Sequence, residues 1–227
     1  MATRSRSQAG AGSRKGKGSR RPVRPKSGTG VPLLPIVVGS ILAVLLVAMI
    51  VWIIYLGRPG PSSTPTVGGI PCDHLEHTQV HYHAALQIVY KGVVTDLPAN
   101  TGIETDSAGN VTCYYWLHVH QASPNVIHIE SPATNTFTLG QFFSVWNSWS
   151  QANGQGPRKL DATHVASITL GAGDKVVTYI DLGDGKGATV FSGDPSSIVL
   201  KSHEVITIEI TPPDVNPPPS FTFPSGL

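Results

Sequence analysis

The sequence predicts a mainly β (α+β) domain with one short helix packed on its sheet, carried behind a single transmembrane helix. Three observations lead there. An uncharged stretch dense in Ile, Leu and Val runs from Val31 to Gly57. Beyond it, apolar and polar residues alternate with a period of two through several short runs bounded by turn-forming residues. A single segment, from Leu139, breaks that alternation with helical spacing.

Residues 1–30 contain no acidic side chain and nine basic ones, Arg4, Arg6, Arg14, Lys15, Lys17, Arg20, Arg21, Arg24 and Lys26, set among Gly, Ser and Pro. Such a segment cannot bury enough apolar surface to offset its ordering entropy, so a disordered cytoplasmic tail is expected. At about 1.5 Å per residue, roughly 20 apolar residues cross a bilayer core. The transmembrane stretch, 31–57, meets this, with residues 33–56 in contact with the lipid bilayer. Trp52 and Tyr55 fall near its outer end, where aromatic rings favour the interface. Nine basic residues precede the helix and only Arg58 follows it closely, which puts the N-terminus in the cytoplasm and the rest extracytoplasmic. A cleaved signal peptide would have a shorter apolar region and a small-residue cleavage site. Tyr55-Leu56-Gly57-Arg58-Pro59 is a poor one, so an uncleaved signal anchor in the cell membrane is expected.

The formal charge of +2 belongs to the tail. Beyond the helix acidic residues outnumber basic ones, which argues against nucleic acid as a partner of the outer domain. Residues 58–69, rich in Pro, Gly, Ser and Thr, read as a flexible linker, and 70–210 as the extracytoplasmic β-rich domain. Residues 211–227, with Pro212, Pro213, Pro217, Pro218, Pro219 and Pro224, read as an extended, polyproline-like tail. Both cysteines, Cys72 and Cys113, lie in the outer domain. A disulfide between them would close a loop of about 40 residues and stabilise by about 3–4 kcal/mol in the chain-entropy model. Thiolate ligation of a metal is the alternative.

Within the domain, Val80 to Tyr90 reads as a strand with Val80, Tyr82, Ala84, Leu86, Ile88 and Tyr90 on one face, followed by a Lys91-Gly92 turn. Cys113 to His120 and Val126 to Glu130 read as the next strands. Thr138 fits a helix N-cap with Gln141 as its capping-box partner, and Leu139, Phe142, Phe143 and Trp146 form one apolar face suited to the core. Later strands are expected at Ala166–Leu170, Lys175–Ile180 and Val205–Ile210, with a turn at Asp184–Gly187.

Histidine placement carries the chemistry. His81 and His83 are two apart, as are His118 and His120, so each pair projects from one strand face. His128 shares a face with Glu130 on the third strand. If the three strands are neighbours, five imidazoles converge, and three or four such ligands complete a zinc or copper site. Glu130 would act as a carboxylate ligand or as the acceptor that orients an imidazole. Without metal, the same residues would form a structural polar cluster. Both methionines, Met1 and Met49, precede the domain, which excludes a Met-ligated blue-copper site. Neither His-x-His pair has a cupin's following Glu, so imidazole-bound copper(II) or zinc remains. His74 and His77 lie in a polar stretch with Asp73 and Glu76, and His164 and His203 are isolated and expected to be structural. No P-loop, Gly-x-Ser-x-Gly elbow or Cys-x-x-Cys is present.

Cys72-Asp73-His74, His81-Tyr82-His83-Ala84, Cys113 through His120, Ile127 through Pro132 and Phe137 through Phe143 occur in an order that resembles a group of membrane-anchored bacterial proteins with paired His-x-His motifs and no assigned activity. That group places a third imidazole where this chain has Ala85, and often an Asp where it has Gln121. The resemblance implies a bacterial envelope location and an intact domain from Cys72 onward. Two functions are then in play. One is a tethered metal-binding domain, with metal-assisted hydrolysis using Glu130 as base as an extension. The other is a non-enzymatic scaffold whose Pro-rich end docks an envelope protein partner.

Overall fold

The computed structural model describes residues 33–56 and 65–227; the basic tail and most of the linker lie outside them. The chain divides into two units, the first ending at Pro61 and the second beginning at Ser62. In the first, α1 (Leu33–Leu56) is 24 residues long. At 1.5 Å per residue it extends about 36 Å, more than a hydrocarbon core requires. Its segment Leu34–Ile54 has mean hydropathy 3.0. This is the one helix among the described residues long and apolar enough to cross a membrane.

The second unit is mainly β with one short helix packed on its sheets. Its strands are β1 (Thr66–Val67), β2 (Ile70–Asp73), β3 (Val80–Tyr90), β4 (Val93–Thr95), β5 (Ile103–Thr105), β6 (Val111–Tyr115), β7 (Leu117–His118) and β8 (Val126–Ser131). After α2 (Leu139–Ala152) come β9 (Lys159–Asp161), β10 (His164–Ala166), β11 (Ile168–Thr169), β12 (Lys175–Asp181), β13 (Thr189–Phe191) and β14 (Val205–Thr211). The large sheet has the order β13-β12-β14-β3-β8-β7, with β4 also paired to β3. Two smaller sheets run β1-β2-β6-β5 and β11-β10-β9. Within the large sheet, β14 and β3 run parallel and the other pairs antiparallel.

The core lies between one face of the large sheet and α2. Ala84, Leu86, Ile88, Ile127, Ile129, Ile206 and Ile208 form one cluster with Leu139, Phe142, Phe143 and Trp146. Thr138 caps α2 as its sequence promises: its hydroxyl accepts from Gln141 N at 3.3 Å, and the Gln141 amide oxygen accepts from Thr138 N at 3.0 Å. Cys72 and Cys113 form a disulfide with Cα atoms 5.4 Å apart. It joins neighbouring strands β2 and β6 and removes both thiolates from any ligand set.

Several sequence expectations need correction. The run Cys113–His120 is not one strand: β6 belongs to a small sheet and β7 to the large one, and the chain changes sheets at Trp116. The Trp116 indole N–H donates to Asp73 Oδ2 at 2.8 Å, which pins the crossing point. Ala166–Leu170 is not a strand either, because Ala166 adopts φ +53° and the chain reverses there between β10 and β11. Regular pairing starts at Thr66, inside the stretch read as linker.

The second face of β3 is not open. Ala85, Gln87 and Val89 are buried there, as are Thr207 and Glu209 on β14. The Pro-rich segment folds back onto this region instead of extending away. Val215 N donates to Glu209 Oε1. Pro217–Phe221 line one cleft with Val205 and Thr207, and Phe223 stacks edgewise on His203 at 5.1 Å.

Candidate metal centre

The strands bearing histidine are neighbours in the order β3-β8-β7. Their register is what concentrates the imidazoles. His83 lies directly opposite His128, His128 directly opposite His118, and His81 opposite Glu130. Side chains directly opposite on antiparallel strands share a face at about 4.5–5.5 Å between Cβ atoms, so three imidazoles form a row across three strands. The ring centroids of His83 and His128 are 4.5 Å apart, and those of His118 and His128 are 5.5 Å apart and stacked. His120 follows β7 and places its ring 4.5 Å from that of His128. His81 extends the row, 4.7 Å from His83.

Hydrogen bonds aim the ring nitrogens. His118 is fully buried and its Nδ1 lies 2.8 Å from the Tyr115 carbonyl oxygen. A carbonyl only accepts, so Nδ1 carries a proton, and in the neutral imidazole Nε2 presents a lone pair. That lone pair faces His120 Nε2 at 3.0 Å and Glu76 Oε1 at 3.5 Å, and His120 Nε2 is 3.0 Å from the same Glu76 oxygen. Three electron-rich atoms thus meet with at most one proton, on His120, to share among them when the imidazoles are neutral. On β8, the turn from His120 to Asn125 brings Ser123 Oγ to 2.9 Å from His128 Nε2. His128 Nδ1 and His83 Nε2 are buried and have no hydrogen-bond partner among the described residues. A buried polar atom left so costs about 1–3 kcal/mol. Glu130, also buried, holds Oε1 3.2 Å from His81 Nε2 and 3.7 Å from His128 Nδ1.

The electrostatics suit a cation. Burial, then the neighbouring His128 and His81, pushes His83 down from 6.5 to about 4. Burial, then His118 and His128, also lowers His120. A hydrogen bond from His118 in its doubly protonated form holds the Glu76 carboxyl below its ordinary value, against the opposing effect of burial. Burial would raise Glu130, but His128, His118 and His81 around it bring it down. At neutral pH the site therefore carries ionised carboxylates beside His83 and His120 in their neutral forms, the states in which both residue types bind metal.

All six residues expected from the sequence come together. His118, His120, His128 and Glu130 form one group with donor atoms within 4.8 Å of one another, and His81, His83 and His128 form a second. Glu76 and Ser123 escaped the sequence reading. Glu76 stands in a polar stretch before β3 with no spacing rule pointing to it, and Ser123 is an ordinary turn residue. The remaining histidines lie apart from these groups. His74 Nδ1 contacts the Thr112 carbonyl at 2.8 Å, and His77 Nε2 contacts Asp73 Oδ2 at 2.7 Å. His164 contacts Thr163 and Asp161 in the three-stranded sheet. His203 donates its backbone N–H to the His83 carbonyl at 2.7 Å, and its ring rests on Phe223. A cleft lined by Leu160, Val165, Val176 and Phe191 contains no histidine. No protein-family model matches the chain, and neither a curated protein nor a solved structure matches it.

Proposed function

We propose that this chain is a single-pass membrane protein whose extracytoplasmic domain binds copper or zinc through His81, His83, His118, His120, His128 and Glu130. The observation that carries the reading is the in-register row His83–His128–His118, in which His83 Nε2 and His128 Nδ1 are buried without a hydrogen-bond partner among the described residues. A packed polar cluster would satisfy those atoms internally, whereas a bound ion uses them as ligands. With both cysteines in a disulfide and no methionine in the domain, the donors are imidazole nitrogen and carboxylate oxygen, the set suited to zinc and copper(II). The apolar helix α1 and the disulfide support a tether in the cell membrane with the domain on its oxidising side. A scaffold that recruits an envelope partner through its Pro-rich end finds less support, because that segment lies on its own sheet.

The test is metal retention. Full-length protein in detergent, dialysed against zinc or copper(II) and then against buffer, retains the ion, and the His118→Ala/His120→Ala variant loses at least part of it. Wild-type protein that emerges metal-free would end the proposal.

A further inference from the structure

The number and arrangement of donors exceed what one ion can use. Seven side chains converge: Glu76, His81, His83, His118, His120, His128 and Glu130. A tetrahedral site takes four protein ligands, or three where one position stays open. A single ion would leave three or four of these groups unused, several of them buried.

Geometry divides the donors into two sets. In the first, His118 Nε2, His120 Nε2 and Glu76 Oε1 stand 3.0, 3.0 and 3.5 Å apart. An ion with bonds of 2.0–2.1 Å in tetrahedral geometry holds its donors about 3.3 Å apart, so these three atoms already have ligand spacing. In the second, His81, His83 and His128 bring ring nitrogens within 4.8 Å of one another. Two residues lie between the sets. The His128 ring is 4.5 Å from the rings of both His83 and His120. Glu130 belongs to a group with His118 and His120, yet its Oε1 reaches His81 Nε2 at 3.2 Å. A carboxylate placed this way can give one oxygen to each of two ions, and paired metal sites place their ions about 3.5–4 Å apart.

We infer that the centre holds two divalent transition-metal ions, one on His118, His120 and Glu76 and one on His81, His83 and His128, with Glu130 shared between them. This rests on the metal-binding reading above and goes beyond it in stoichiometry and in adding Glu76 as a ligand. The count matters chemically, because a carboxylate-linked pair can hold both the attacking and the leaving oxygen of a displacement, which a single ion cannot.

Zinc titration of the full-length, detergent-solubilised protein, read by calorimetry and by elemental analysis after gel filtration, tests it. Wild type saturates with two ions per chain. His81→Gln/His83→Gln retains one. Glu76→Gln, a change at an exposed position that leaves the fold intact, weakens one of the two ions by about ten-fold or more and spares the other. Copper(II)-loaded wild type gives an integrated paramagnetic signal below its copper content, because neighbouring ions couple. Saturation of wild type at one ion, with a full uncoupled copper signal, overturns the pair while leaving the single-ion reading in place. Saturation at zero overturns both. If the double variant fails to fold, as its circular dichroism would report, the wild-type stoichiometry and Glu76→Gln still decide.

Discussion

His118 shows how one backbone contact sets the chemistry of a side chain. The Tyr115 carbonyl accepts a hydrogen bond from Nδ1–H, so in the neutral imidazole the opposite nitrogen faces Glu76 and His120 as a lone pair. His83 offers a measurable counterpart. Its folded-state value is depressed from 6.5 to about 4, chiefly by burial. Between those values the unfolded chain binds more protons than the folded one, so stability rises with pH there. The contribution of neutral His83 is therefore complete above about 6.5 and is lost as pH falls through about 4. Thermal melts of metal-free protein should show the melting temperature dropping from pH 7 to pH 4.5, and dropping less in His83→Gln. Parallel pH profiles for the two proteins would contradict this account of His83.

At the scale of elements, register does what residue type alone cannot. A slip of one residue between β3 and β8 would send His128 to the core face and Ile127 or Ile129 into the cluster. The register is held by packing of Ile127, Ile129, Leu86 and Ile88 against α2, whose start is fixed by the Thr138–Gln141 capping box. Thr138→Ala should cost about 1 kcal/mol of unfolding free energy, the usual value for a lost N-cap hydroxyl, and leave metal stoichiometry unchanged. A denaturant midpoint equal to wild type would show that the cap is not needed. This helix was legible because capping and amphipathic spacing are local signals. The His-x-His pairs were legible for the same reason, since i and i+2 share a strand face wherever the strand goes. The order β3-β8-β7 was not legible, because strand partners are chosen by contacts remote in sequence. Nor was the change of sheet at Trp116, where the alternation of Cys113–His120 runs on unbroken while the hydrogen-bonding partners change. Glu76 was hidden because only the path of the 74–79 segment delivers it to His118 and His120.

At the scale of the whole molecule, two independent features bear on which side of a membrane the domain occupies. The basic residues cluster before α1, and the cysteines beyond it are joined in a disulfide. The first favours a cytoplasmic N-terminus through the preference of Lys and Arg for that side. The second favours an oxidising compartment for the domain, since thiols are kept reduced in the cytosol. The orientation proposed above accords with both by different physics, charge translocation in one case and redox poise in the other. Because the native cysteines are bonded to each other, a new cysteine would be the single reactive thiol in the chain. Lys186, with a side chain 81% exposed on the turn between β12 and β13, is a suitable position in the domain, and Ser7 is one in the tail. A membrane-impermeant maleimide applied to intact cells should modify Lys186→Cys and spare Ser7→Cys, which reacts only after the membrane is opened. The reverse pattern would place the histidine cluster in the cytoplasm, where the disulfide would be reduced and the thiolates of Cys72 and Cys113 would become available as ligands.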